Sequence, residues 1–266
     1  MSDDLKRTLT AKDVAVIAIG TIIGSGIFLT PGTVLTNAGG WVGVSLSVWV
    51  VGGVLSLLGA LAYAELGCMR TGTGGLYAYL RDAFGPLVAF TYGWTLFVVI
   101  ASGSMAALAV AASDNLAVLI PLGGLGKKLV SLALLAILAI VNVRGTRESA
   151  TVLAVGTLLK VGALVFLIVA LPIVGTGFSQ VNQAWPATVD GGVLTGFLAA
   201  MIGVLWAYEG WQYATFVGGE VKDPQRNFPL GLVAGTAAII VIYVLANVGY
   251  LAGLGPTRLA SSTTVA

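Results

Sequence analysis

The sequence predicts an all-α polytopic membrane protein with about seven transmembrane helices, the first and sixth discontinuous. Three observations carry that prediction. Hydrophobic residues make up 58% of the 266-residue chain and charged residues only 9%, with a mean hydropathy of +0.99. A soluble domain carries about 25% charged residues. Apolar runs of about 20 residues, the length a helix needs to cross about 30 Å of hydrocarbon, recur between short polar turns. Two of those runs are interrupted near their middles by glycine and polar residues.

The same composition excludes several classes. There is no histidine and a single cysteine, Cys68. Histidine-based triads, histidine–cysteine metal sites and an intrachain disulfide are thereby removed, and no cofactor or metal is expected. The net charge of +2 comes from basic residues in short loops, so no nucleic-acid partner is expected. The partner that the composition does require is the lipid bilayer. The first apolar segment is too long for a signal-peptide core, and no small-residue cleavage site follows it, so it is expected to be retained.

In chain order, a charged tail over 1–12 (Asp3, Asp4, Lys6, Arg7, Lys12) leads into a first segment from about Val14 to Thr36. Asn37-Ala38-Gly39-Gly40 is a turn, followed by a second segment from about Trp41 to Tyr63. Residues Glu65 to Arg81 read as a polar, glycine-studded connection. The third segment spans about Phe84–Ala112, the fourth Leu129–Val143 and the fifth Thr151–Gly175. An outer loop over 176–193, with Trp185-Pro186 and Asp190, precedes the sixth, about Leu194–Val217. Gly219-Glu220-Val221-Lys222-Asp223-Pro224 is a turn signal, and the seventh segment covers about Leu230–Leu251, with the chain stopping in the loop beyond.

Orientation follows from the distribution of lysine and arginine. Lys6, Arg7, Lys12, Arg70, Arg81, Arg144, Arg147, Lys222 and Arg226 fall on one side of this array; Lys127, Lys128 and Arg258 fall on the other. The amino terminus is therefore expected in the cytoplasm. Asp114, at the outer end of the third segment, is expected to be solvated.

The two interruptions point to chemistry. Gly24-Ser25-Gly26 lies in the middle of the first segment. Glycine leaves helical geometry cheaply, and unwound backbone is tolerated in a membrane only where it is buried in protein or lines a watery cavity. Close packing of helices through small residues is the alternative. The sixth segment reads Leu205-Trp206-Ala207-Tyr208-Glu209-Gly210-Trp211, a carboxylate at a depth where a charge costs at least about 2.5 kcal/mol. A tryptophan-rich packing motif with Glu209 turned to a loop is the alternative there. Four uninterrupted segments separate the two broken ones, so a five-segment unit begins again at the sixth. An odd number makes the second copy enter from the opposite side, the pattern of an inverted-repeat transporter whose substrate sits at the discontinuous helices. The division is then 13–175 for the first five-helix repeat and 194–266 for the start of the second.

These residues resemble the amino acid–polyamine–organocation transporters. Gly24-Ser25-Gly26-Ile27-Phe28 is similar to that superfamily's glycine-rich break, and Trp206-Ala207-Tyr208-Glu209-Gly210-Trp211 to the sixth-helix break of its L-type amino acid transporter branch. The stretches Gly74-Gly75-Leu76-Tyr77-Ala78-Tyr79-Leu80-Arg81, Asn142-Val143-Arg144-Gly145-Thr146-Arg147-Glu148-Ser149 and Glu220-Val221-Lys222-Asp223-Pro224-Gln225-Arg226-Asn227-Phe228-Pro229 resemble its cytoplasmic loops. The resemblance implies an incomplete leucine-transporter-type fold of five plus five helices, the amino-terminal portion of a longer carrier. It also implies an integral protein of a bacterial-type inner membrane and a small amino acid as substrate. The function implied is sodium-independent exchange or proton-coupled uptake of a neutral L-amino acid. A cationic amino acid, a polyamine, or a non-transporting scaffold remain alternatives.

In relatives the two unwound stretches hold the substrate. By that resemblance, amides around Gly24, Ser25, Gly26 and Ile27 would bind its carboxylate at a positive helix end. Carbonyls around Trp206, Ala207 and Glu209 would accept its ammonium protons, with Trp206 as a wall. Glu209 departs from the glycine of animal large-neutral amino acid exchangers; it is expected to pair with a protein cation, Lys160 among the candidates, or to be protonated, or else to face the substrate and select cationic side chains. Lys160 lies roughly 16 Å into the fifth helix from Ser149 at ~1.5 Å per residue. It is either a snorkelling or salt-bridged lysine or, as the resemblance implies, a coupling residue that bonds the freed carbonyls of the first break where sodium-coupled relatives hold an ion. Cys68 is expected on the cytoplasmic side, so no disulfide-linked heavy subunit is expected.

Overall fold

The computed structural model describes residues 7–70, 72, 74–144, 146–181, 183–262 and 265, with the side chains of 144–154 left aside. Asp3, Asp4, Lys6, Gly145 and the side chains of Arg144, Thr146, Arg147, Glu148, Ser149 and Thr151 lie outside the described residues.

The regular elements of the described chain are helices: α1 (Ala11–Ile22), α2 (Gly26–Leu29), α3 (Pro31–Asn37), α4 (Val42–Met69), α5 (Gly75–Phe84), α6 (Pro86–Thr95), α7 (Ser102–Leu119), α8 (Gly124–Arg144), α9 (Thr146–Val174), α10 (Gly191–Ala207) and α11 (Pro224–Ser261). A π-helical stretch, Leu96–Ala101, joins α6 to α7; 3-10 turns run over Gly177–Gln180 and Trp211–Glu220. Among the described residues, 7 segments are long and apolar enough to cross a membrane: Ala11–Leu29, Val42–Met69, Pro86–Leu119, Gly124–Val143, Val155–Val174, Gly191–Glu220 and Pro224–Ser261.

Helix ends account for the departures from the sequence reading. The connection read as a polar loop from Glu65 is largely helical: α4 continues to Met69 and α5 begins at Gly75. The third segment ends at Leu119 rather than Ala112 because its polar residues are satisfied locally. Ser113 Oγ donates to the Val110 carbonyl at 2.8 Å, and Asn115 Nδ2 to that of Ala111 at 2.9 Å. Asp114 is exposed, as expected, and also accepts from Lys127 Nζ in the first turn of α8 at 2.9 Å. The seventh segment does not stop at Leu251. Gly255 adopts φ 75° and kinks α11, and the helix resumes from Pro256 to Ser261, where the Ala260 carbonyl accepts from Thr36 Oγ1 at 3.1 Å.

The chain divides into two compact units, residues 77–158 and the remainder. The smaller unit holds α6, α7 and α8; there Ser131 Oγ, buried, donates to Ser113 Oγ at 3.0 Å and lies 3.1 Å from the Ala109 carbonyl.

The larger unit holds both interrupted segments and two apolar clusters. The main cluster is built on Ile22, Ile23, Ile27, Trp49, Tyr208, Tyr243 and Tyr250. Trp49 meets Tyr208 and Tyr243 edge-on, each with ring centroids 5.9 Å apart. A smaller cluster joins Val14 and Ala18 of α1 to Ala60 and Ala64 of α4 and to Phe228 and Leu232 of α11. At this end the main chain itself ties the two interrupted segments together. The Thr8 and Leu9 amides donate to the Glu220 carbonyl at 2.8 and 2.9 Å, and the Lys222 amide to that of Leu9 at 2.8 Å. Thr10 then caps α1: its amide and hydroxyl both donate to Asp13 Oδ2 at 2.7 Å, satisfying groups that a helix start otherwise leaves open.

Candidate functional site

At each interruption a glycine meets the backbone of the other interrupted segment. In the first, α1 ends at Ile22, Ile23 turns extended (φ −68°, ψ 90°), and α2 starts at Gly26. A Cβ on Gly26 would lie 2.7 Å from the Ala207 Cα and 2.9 Å from its Cβ, so no larger residue fits without displacing the second interruption. A Cβ on Gly24, in contrast, would meet only the Ile22 carbonyl oxygen, at 3.8 Å. The small-residue packing reading therefore describes Gly26, while Gly24 borders open space. Downstream, the Gly26 carbonyl accepts from both the amide and Oγ1 of Thr30, each at 2.9 Å, which carries helical geometry past α2 into α3.

The second interruption is built by Tyr208, Glu209 and Gly210. The Tyr208 amide donates to Val204 and the Glu209 amide to Trp206, at 3.0 and 3.2 Å. Gly210 has φ 132°, a region that favours glycine, and a Cβ there would run into the Thr21 carbonyl of α1. So the interruptions touch twice, Gly26 on Ala207 and Gly210 on Thr21. The chain leaves through the 3-10 turns of Trp211–Glu220, where Trp211 meets Tyr63 edge-on at 5.0 Å between centroids.

Breaking a helix orphans carbonyls, and those of the first interruption are met by side chains from far along the chain. Lys160 Nζ, half-buried on α9, donates to the Ile23 carbonyl at 2.7 Å. Tyr243 Oη, fully buried on α11, donates to the Ile22 carbonyl at 3.0 Å. At the second interruption the polar contacts are local: Gln212 Oε1 accepts from the Gly210 amide at 3.0 Å while its Nε2 donates to Glu209 Oε1 at 2.8 Å.

The residues singled out in the sequence thus fall as follows. Ser25 is half-buried and Ile27 fully buried beside Gly26; Ala207 is buried under Gly26; Trp206 is 50% exposed; Glu209 is exposed. The pairing of Glu209 with Lys160 is not among the contacts of the described residues: Lys160 Nζ donates to the Ile23 carbonyl, and exposed Glu209 is reached by Gln212 from three residues away. Tyr243 and Gln212 were not legible as site residues. One hydroxyl in the apolar run Ile239 to Leu245 was the available signal for Tyr243. Two clefts open away from both interruptions: one of about 350 Å³ lined by Trp41, Gln180, Gln183 and Pro256, the other of about 470 Å³ lined by Val42, Leu46, Val50 and Trp185.

Comparison with known proteins adds lineage to this geometry. The sequence profile of the family described as amino acid permease matches residues 9–266. The chain is 34% identical over 275 residues to b(0,+)-type amino acid transporter 1 of Mus musculus, covering 100% of this chain and 56% of that protein. It is 34% identical over 268 residues to the cystine/glutamate transporter of Homo sapiens (98% and 53%). With the serine/threonine exchanger of Bacillus subtilis the identity is 30% over 248 residues (93% and 55%). The chain spans about half the length of the curated relatives it matches.

Proposed function

The chain belongs to the amino acid permease family of the amino acid–polyamine–organocation superfamily, whose members are carriers rather than enzymes, and from that premise we propose that it is the amino-terminal part of a secondary active amino acid transporter. The complete protein carries a neutral L-amino acid by alternating access, through exchange or proton-coupled uptake, without sodium. Its amino terminus is cytoplasmic, and its membrane is a bacterial-type inner membrane. Residues 13–175 form the first five-helix repeat and 194–266 begin the inverted second.

The observation that carries this reading is the contact of two interrupted helices at Gly26–Ala207, with Lys160 Nζ on the Ile23 carbonyl. The substrate carboxylate approaches the bare backbone at Gly24 and Ser25, beside the amides of Gly26 and Ile27. Its ammonium group is held by carbonyls around Trp206, Ala207 and Glu209, and Trp206 forms a wall. Backbone recognition reads the α-amino acid and leaves the side chain to the pocket. An ammonium already bonded to the break supplies the cation that a sodium ion would otherwise supply, and like-charge repulsion opposes sodium nearby. Cys68 Sγ, 3.4 Å from the Gln225 carbonyl, stays a free thiol, and the carrier works without a disulfide-linked subunit.

Uptake into proteoliposomes preloaded with amino acid, with sodium or choline outside, tests the reading. Equal uptake in both salts is expected from the complete protein; stimulation by sodium overturns the coupling, and saturable uptake absent in both overturns transport itself.

One observation favours a second reading. Glu209 is exposed, and Gln212, the partner that meets its carboxylate, is uncharged. A carboxylate so presented supports recognition of a cationic side chain. Competition by arginine and lysine against leucine, alanine and serine separates the two: strong inhibition by arginine that vanishes in Glu209→Gly replaces the neutral substrate with a cationic one.

A further inference from the structure

We propose that the kink of α11 at Gly255 is a hinge paired with the first interruption, so that the outer half of the broken segment moves with the short helix beyond the kink. The proposal rests on the transport reading above and deepens it by naming where the carrier bends. α11 packs along both halves of the first segment. On the inner half, Gly231 and Gly235 bring its backbone against α1. A Cβ on Gly235 would lie 2.9 Å from the Ala15 carbonyl oxygen, and one on Gly231 would run into that of Ala11. On the outer half the contact passes to residues 256–262. There a Cβ on Gly32 would lie 2.6 Å from the Leu259 carbonyl oxygen, and Thr36 Oγ1 donates to the Ala260 carbonyl at 3.1 Å. The chain beyond continues the contact, with the Val265 amide donating to the Phe28 carbonyl at 3.0 Å. α1 is thus fastened to α11 before the kink, and α3 to the helix after it. Helices packed this closely slide little past one another, so the angle between α1 and α3 changes only if the angle at Gly255 changes with it.

The kink is suited to bending. Gly255 has φ 75° and ψ 164°, a region open essentially to glycine alone. Pro256 follows it and has no amide to continue the helical ladder, so α11 is already interrupted at the point where it turns. A Cβ on Gly255 would meet Gln180 Oε1 at 2.5 Å, so a larger residue would close the hinge. The outer helix also has room to swing. Pro256, Thr257 and Ala260, together with Trp41 and Gln180, line the cleft of about 350 Å³. The seam at Gly231 and Gly235, pressed against α1, leaves no such space.

The experiment uses the complete protein in lipid nanodiscs, with Cys68→Ser and two pairs of spin-labelled cysteines read by electron–electron double resonance. Val241→Cys with Arg258→Cys spans the kink; Thr33→Cys with Arg258→Cys joins the outer half of the broken segment to the helix beyond it. All three positions are exposed. With and without a mixture of leucine, alanine, serine and arginine, two distance populations are expected across the kink and one between Thr33 and Arg258. A single population across the kink overturns the proposal, and so do two populations between Thr33 and Arg258. Uptake supplies a second test through Thr257→Trp, which fills the cleft without touching the substrate site. Its maximal rate is expected to fall about tenfold, because a conformational step is slowed, while equilibrium binding of a labelled amino acid stays within about twofold. An unchanged maximal rate, or a loss of binding as large as the loss of rate, overturns the proposal. If the unaltered protein takes up no amino acid, the transport reading fails, and the two distance measurements alone decide whether the kink is a hinge.

Discussion

The two interrupted segments are made in opposite ways. The first is held by side chains from a distance: its freed carbonyls are met by Lys160 and Tyr243, 137 and 221 residues away along the chain. The second is held from within, since Gln212 meets the Gly210 amide two residues away and the Glu209 carboxylate three away. A break closed locally persists whenever its own turn forms. A break closed by distant helices persists only while those helices are in place. The first interruption thus depends on tertiary packing and the second on its own turn.

The most severe way to break that contrast is Gly210→Val. A branched residue at φ 132° is strained by ~1–3 kcal/mol, and its Cβ also meets the Thr21 carbonyl. The sum is expected to exceed ~4 kcal/mol, the range of gross steric failure. Size-exclusion chromatography after detergent extraction checks it: no monodisperse peak is expected, and a normal one would mean the turn tolerates other residues.

Gly26 and Gly24 sharpen the comparison by separating packing from open space. Gly26→Ala presses on Ala207 and should cost ~1–3 kcal/mol by overpacking. Gly24→Ala has room for its methyl group and should change stability by less than ~1 kcal/mol, yet raise KM if the substrate carboxylate binds where we propose. Thermal unfolding of both variants, paired with uptake, decides this; equal destabilisation would show that both glycines serve packing alone.

Lys160→Ala leaves the Ile23 carbonyl unmet and should cost ~1–3 kcal/mol. Uptake by the complete protein should fall to a small fraction of that of the unaltered protein in sodium and in choline alike. Normal uptake would reduce Lys160 to a snorkelling or structural lysine. Smaller again is Gln212→Leu, expected at ~0.5–1.5 kcal/mol because solvent can replace part of what it supplies to the exposed Glu209. Its unfolding temperature, set beside that of Lys160→Ala, measures directly how much each interruption depends on local against distant contacts.

Much of this protein was legible before any coordinates. Composition fixed a membrane-spanning all-α chain, because 58% hydrophobic residues with 9% charged ones leave no surface for water. The segment count and both interruptions also followed from local pattern, while the link of Lys160 to the first break came only from the resemblance. Segment ends were less legible. The polar triplet Ser113-Asp114-Asn115 looked like a boundary, but hydrogen bonds to Val110, Ala111 and Lys127 keep it helical. What only the tertiary structure decided is which groups answer the broken backbone. Sequence order cannot say that Tyr243 meets Ile22, that Lys160 donates to the Ile23 carbonyl, or that Gly26 is closed by Ala207 while Gly24 stays open. Those outcomes depend on helices brought together across the chain, and a side chain's partner is set by what stands within about 3 Å of it in space.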